Sequence, residues 1–180
     1  LLSTLSGSTA EDQVGSNGIT AFKNGNFVVS SPNWDNGTAT NAGAVTFGNG
    51  VTGVSGVVSA INSLVGSKTN DQVGNGSTRE LSNGNYVVRS PDWDNGAAVD
   101  AGAATWGNGS VPVTGAVSDS NSIYGTTTND RVGLGGITEV AGGNYVINSY
   151  QWSNGAIPGA TQAGAVTWAN GNESSNFDVD

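Results

Sequence analysis

The chain has 180 residues, with fourteen acidic against five basic side chains, a net charge of −9, 29 glycines and neither cysteine nor histidine. The missing cysteines exclude disulfides and thiolate metal sites, and the missing histidines remove the usual general base and zinc ligand. The acidic balance opposes nucleic acid and anionic membranes, and the scattered Lys23, Lys68, Arg79, Arg89 and Arg131 suggest no local basic patch to reverse it.

Glycine costs about 1 kcal/mol in a helix interior, so a chain rich in Gly, Asn, Ser and Thr and poor in long helix formers reads as all-β. No apolar run approaches the roughly 20 residues of a membrane helix, so no membrane insertion is expected. No signal peptide is read either, and a start at Leu1 rather than Met fits a processed or excised piece.

In chain order, Leu5-Ser6-Gly7-Ser8 matches Leu64-Val65-Gly66-Ser67, 59 residues on, and the same step separates Asp12-Gln13-Val14-Gly15, Asp71-Gln72-Val73-Gly74 and Asp130-Arg131-Val132-Gly133. Trp34, Trp93 and Trp152 keep it too. The chain therefore divides into tandem units at about 5–63, 64–122 and 123–180 within one domain spanning 1–180. Units this small are marginal alone, which favours shared burial. From Trp106 to Trp168 the step is 62, which places three inserted residues in a surface loop around Ile157 to Thr161.

Within the second unit, Gly76 to Leu81 predicts a first strand, Ser82-Asn83-Gly84 a turn, and Asn85 to Ser90 a second strand ended by Pro91. Asp94-Asn95-Gly96 opens a loop, Ala101 to Trp106 predicts a third strand, Gly107-Asn108-Gly109 a turn, and a fourth strand is expected near Ser122 to Thr126. Four short strands per repeat fit a β-propeller blade, with a three-sheet β-prism as the alternative fold. The small residues of Ala42-Gly43-Ala44-Val45 and its copies suit close backbone approach. The chain opens on strand four and its last copy is expected to stop after strand three at Ala169-Asn170-Gly171, so one chain's end can complete its own last sheet or that of another chain. Three repeats are few for a ring, whereas two chains would supply six.

The order Leu64-Val65-Gly66-Ser67, Asn70-Asp71-Gln72-Val73-Gly74, Tyr86-Val87-Val88-Arg89-Ser90-Pro91 and Gly102-Ala103-Ala104-Thr105 resembles the FG-GAP repeat of integrin alpha subunits and bacterial surface proteins. That resemblance implies a β-propeller, usually seven-bladed in integrins, which binds protein or other ligands through loops on one face and often lies outside the cell. Several positions depart from the pattern. Val14, Val73 and Val132 stand for its Phe, Ser31-Pro32 and Ser90-Pro91 for Ala-Pro, and Ser149-Tyr150 has no proline. The calcium-type loop of the family is replaced by Lys23-Asn24-Gly25, Ser82-Asn83-Gly84 and Ala141-Gly142-Gly143. A calcium cage takes about 6 to 8 oxygen ligands, which these turns do not supply, so no metal and no cofactor are expected.

The candidate ligand residues are Trp34, Asp35 and Asn36, Trp93, Asp94 and Asn95, and Trp152 and Asn154, because an exposed indole beside amide and carboxylate groups can stack on a sugar and bind its hydroxyls. The competing reading packs each Trp between sheets and uses Asx-Gly only to turn the chain. Asp12, Asp71 and Asp130 fix the loop after strand four by accepting backbone N–H bonds or, on the same-face placement that the FG-GAP resemblance implies for this loop and the Trp loop, add to a ligand surface. Glu11-Asp12 diverge along a strand and Gly48 to Gly50 lack a following Lys, so no enzyme chemistry is expected. The leading expectation is an extracellular or cell-surface, non-enzymatic adhesin or lectin-like module for a glycan or surface protein. The alternative is a structural unit that self-associates through its terminal strands into a ring, fibre or surface layer.

Overall fold

The computed structural model describes residues 2–179. Fifteen strands follow in chain order: β1 (Leu5–Ser6), β2 (Ile19–Ala21), β3 (Phe27–Ser31), β4 (Ala44–Gly48), β5 (Gly56–Val57), β6 (Ser63–Val65), β7 (Thr78–Glu80), β8 (Tyr86–Ser90), β9 (Ala103–Gly107), β10 (Gly115–Ala116), β11 (Ser122–Tyr124), β12 (Gly136–Glu139), β13 (Tyr145–Ser149), β14 (Ala165–Ala169) and β15 (Phe177–Asp178). A 3₁₀ turn at Ala141–Gly143 is the one helical element among the described residues. The fold is all-β and built of three tandem repeats, with its sheets arranged as in a propeller or prism and no ring closed among the described residues.

The predicted four-strand unit is present. β2-β3-β4-β6 and β7-β8-β9-β11 are antiparallel ladders, and the buried run Tyr86-Val87-Val88 of β8 is aromatic and β-branched. The hairpin between β7 and β8 turns where expected. Gly84 takes φ +87°, which a glycine adopts without strain, and Leu81 N–H donates to Asn85 O at 2.7 Å. The inserted residues do form an exposed loop, with Ile157 57% exposed.

Each unit also contains a fifth strand that the sequence reading missed. β10 pairs parallel with β6 and β15 pairs parallel with β11, so the two complete sheets run β10-β6-β4-β3-β2 and β15-β11-β9-β8-β7. The last copy therefore does not stop at its third strand: the chain returns through β15 to the preceding sheet. The remaining strands form a three-stranded sheet, β12-β13-β14, and a two-stranded parallel one, β1-β5.

Successive sheets pack face to face. Phe22, Val28, Val45 and Leu64 meet Val73, Tyr86, Val88, Trp93 and Ala103. One period on, Leu81, Val87, Ala104 and Ile123 meet Val132, Tyr145, Ile147 and Trp152. A third cluster, Trp34, Ala44, Val58 and Val65, is covered in part by Leu5 and Val14. Burial of this kind stabilises by about 25 cal/mol for each Å² of apolar surface removed from water, so the junctions, rather than any single unit, hold the fold.

Candidate functional site

The loop that carries each Trp begins where its second strand ends. Trp93 N–H donates to Ser90 O, Gly102 N–H returns to Trp93 O at 2.9 Å, and the indole turns inward. Trp34, Trp93 and Trp152 are 3%, 4% and 7% exposed. This corrects the expectation of an open stacking platform, since an indole buried to this degree offers no open face to a sugar. Trp152 Nε1 donates to Val179 O at 2.7 Å, tying β15 to the same loop.

The polar neighbours are spent on backbone. Asp35 and Asp94 accept from Asn41 N–H and Asp100 N–H, each at 2.8 Å, and Ser153 Oγ takes over this role from Gln162 N–H at 3.3 Å. Asn36 and Asn95 donate through Nδ2 to Gly66 O at 2.8 Å and Gly125 O at 3.0 Å, bridging to the end of the fourth strand. Asn154 makes no such bridge and accepts from Ala156 N–H instead. Beside it opens a cleft of about 360 Å³ between Thr126, Thr127 and the Trp152 loop.

Asp12, Asp71 and Asp130 are buried at the crossing of two loops. One Asp71 oxygen accepts Ser67 N–H and Lys68 N–H at 2.8 Å each, and the other accepts Asp94 N–H at 3.1 Å. Asp130 repeats this with Thr126, Thr127 and Ser153, and Asp12 with Ser8, Thr9 and Asp35. Three charge-assisted bonds per carboxylate are a structural use of an acid. The surroundings separate the copies. Burial pushes the Asp71 carboxyl above its ordinary value against the pull of its backbone bonds, and neighbouring Asp94 adds to the rise. For Asp12 burial is again the largest single effect, but bonds from Thr9, Asp35 and Ser8 together outweigh it and leave the carboxyl below its ordinary value.

The same loop sews one unit to the previous one. Gly66, Asn70, Gln72 and Val73 donate N–H bonds of 2.9 to 3.1 Å to Gly43, Thr40, Asn41 and Ala42. The copy at Gly125, Asn129, Arg131 and Val132 does the same to Gly102, Val99, Asp100 and Ala101. Gly43 and Gly102 are required here, since a Cβ on either would stand 2.2 Å from the incoming backbone nitrogen. Sequence reasoning missed several junction residues that recur at the same step: the hydroxyl pairs Thr46–Ser63 and Thr105–Ser122, each 2.7 Å apart, and Glu80 and Glu139, which accept Lys23 N–H and Ser82 N–H across units. Their period was the available signal. Glu139 sits below its ordinary value because of its bonds to Ser82.

One polar cleft of about 540 Å³ lies on the loop side, where Arg131 pairs with Asp100 at 2.8 Å and Asp92 at 3.3 Å beside Asp94, Asn70 and Gln72. Among the described residues no group of three acidic side chains is placed to hold a metal ion, and no helix is long and apolar enough to cross a membrane.

These features define a tandem-repeat all-β protein whose recurring residues form the junctions between units. The chain belongs to the family described as a repeat of unknown function (DUF5650), whose model matches residues 21–75, 80–134 and 139–177. No curated protein matches the chain.

Proposed function

We propose that the chain is a non-enzymatic structural repeat module that builds a stacked array of sheets and extends it by self-association. One observation carries this reading: the Trp, Asp and Asn residues that recur with the period are engaged in packing and in backbone hydrogen bonds at the junctions, with Trp93 4% and Asp71 0% exposed. A buried indole and a carboxylate already holding three N–H groups support architecture over catalysis or sugar stacking. The likeness to FG-GAP repeats supports the same stacked-sheet design. Sedimentation of the 180-residue chain over a wide concentration range tests the reading. A mass that rises with concentration is expected, and an invariant 17.9 kDa species would refute it.

A second reading, an adhesin or lectin-like surface outside the cell, is favoured by the cleft around Arg131 and its acidic neighbours rather than by the indoles. A glycan panel probed with the wild-type chain and Arg131→Ala tests it, and binding abolished by that substitution would support it.

A further inference from the structure

We infer that a second copy of this chain docks head to tail on the free edge of β14, its β1 taking the fourth-strand place and bringing β5 as the fifth. The inference rests on the self-association reading and gives it a register. The two complete sheets have five strands each, while the leftovers are the three-stranded β12-β13-β14 and the two-stranded β1-β5. Joined at β14 and β1, the leftovers reproduce the order of the complete sheets, with β12, β13, β14, β1 and β5 in the places of β2, β3, β4, β6 and β10.

Both surfaces already have the shape of the internal junctions. On the receiving side, Gln162 and Gly164 take φ of 52° and 78°, against 50° and 78° for Asn41 and Gly43 and 52° and 77° for Asp100 and Gly102. The nearby three-residue insertion leaves this segment unchanged. On the incoming side, Glu11 and Gln13 take φ of 66° and 42°, against 67° and 44° for Asn70 and Gln72. These are positions where a non-glycine residue pays for a left-handed backbone, and the docked loop is what uses it in the internal copies. The gap between them is open. A Cβ built on Gly164 meets nothing nearer than Tyr150 O at 3.4 Å, where the same atom on Gly43 or Gly102 would lie 2.2 Å from the neighbouring nitrogen.

The apolar and polar partners also match. Val166 is 74% exposed and Trp168 58%, while Val45 and Ala104, the counterparts of Val166, are 3% and 0% exposed under the next unit. In the internal register Val45 faces Leu64 and Ala104 faces Ile123, which places Val166 opposite Leu5 of the second copy. Thr167 then faces Thr4, supplying the hydroxyl pair seen at Thr46–Ser63 and Thr105–Ser122. Glu11, Gln13, Val14 and Gly7 of the second copy would donate to the carbonyls of Thr161, Gln162, Ala163 and Gly164. Asn154 Nδ2 gains Gly7 O, as Asn36 gains Gly66 O. Two internal links have no counterpart, because Ala21 stands where Glu80 and Glu139 accept, and Gly142 where Asn24 and Asn83 donate. The intermolecular junction is accordingly weaker than the internal ones and reversible with concentration. A head-to-tail contact closes into a ring or runs on as a filament, according to the rotation per unit.

The chain has no cysteine, so introduced thiols report this register alone. Leu5→Cys and Val166→Cys chains are prepared separately, mixed and oxidised. Directly opposed antiparallel residues lie about 4.5 to 5.5 Å apart, within disulfide reach. A mixed disulfide on a non-reducing gel is expected, with Thr4→Cys and Thr167→Cys giving a second readout. Val166→Cys mixed with Ile61→Cys, placed at a 90% exposed turn, is expected to give at least tenfold less. Sedimentation of the same mixtures separates the failures. Association without either mixed disulfide would overturn this register and leave self-association standing, whereas a monomer at every concentration would overturn both.

Discussion

The third strands of the second and last units, β9 and β14, are the same length and share three of their five residues, yet Ala104 is 0% exposed and Val166 74%. What differs is the neighbour. β9 is flanked by β11 and overlaid by Tyr145 and Ile147, while among the described residues β14 is paired only with β13 and its Val166 and Trp168 stay exposed. Burial in a repeat protein is thus a property of the junction and is repeated only as often as the junction is.

The largest effect is expected from a charge placed at equivalent points of the two faces. Val87→Lys sets an unpaired ammonium at a fully buried junction position and is expected to cost on the order of 3 to 5 kcal/mol and to abolish a single cooperative melt. Val146→Lys, one period later on the uncovered face, is expected to leave the melting temperature within a few degrees of wild type. Circular dichroism melts of both read the contrast, and equal losses would mean that the two faces are not different environments.

A smaller effect is expected from the paired aspartates. Asp71→Ala leaves three N–H groups without their acceptor in a covered junction and is expected to cost about 1 to 3 kcal/mol, with Asp12→Ala costing less at the end of the stack. Urea unfolding gives both numbers. Smaller still, and opposite in sign, are their pH contributions. Asp12 titrates below its ordinary value when folded, so its contribution is present above that value and fades as pH falls through the folded one. Asp71 titrates above it, so the folded state binds the proton more readily and its contribution declines as pH rises from the ordinary carboxylate value through the folded one. Asp12→Asn is expected to flatten the acid loss of stability and Asp71→Asn to deepen it, read from urea midpoints between about pH 3 and 6; the same change in both variants would contradict the assignment.

Much of the fold was legible in the sequence because it rests on local rules. Alternation and β-branched residues marked β8, Ser82-Asn83-Gly84 marked its hairpin, and Pro91 marked its end. The parallel strands β5, β10 and β15 were not legible: two residues such as Gly115–Ala116 carry no period, and their pairing with a strand distant in sequence is a tertiary event. The site was legible by position and not by role. Repetition singled out Trp93, Asp71 and Asn95, but a residue that packs a junction recurs as faithfully as one that binds a ligand, and only burial and bond partners separate the two. The Ala-Gly-Ala segment repeated beyond the three-residue insertion already aligned Gln162 with Asn41, and the two share the same positive φ.

The most direct test of the account is amide hydrogen exchange on the wild-type chain at low and at high concentration. Amides of β4 and β9 are expected to be protected in both. Those of β14 that face away from β13, together with Gly7, Gln13 and Val14, are expected to exchange freely when dilute and to become protected as concentration rises. Unchanged exchange at these positions across the range, with the internal junctions protected throughout, would contradict an array that extends by repeating its own junction.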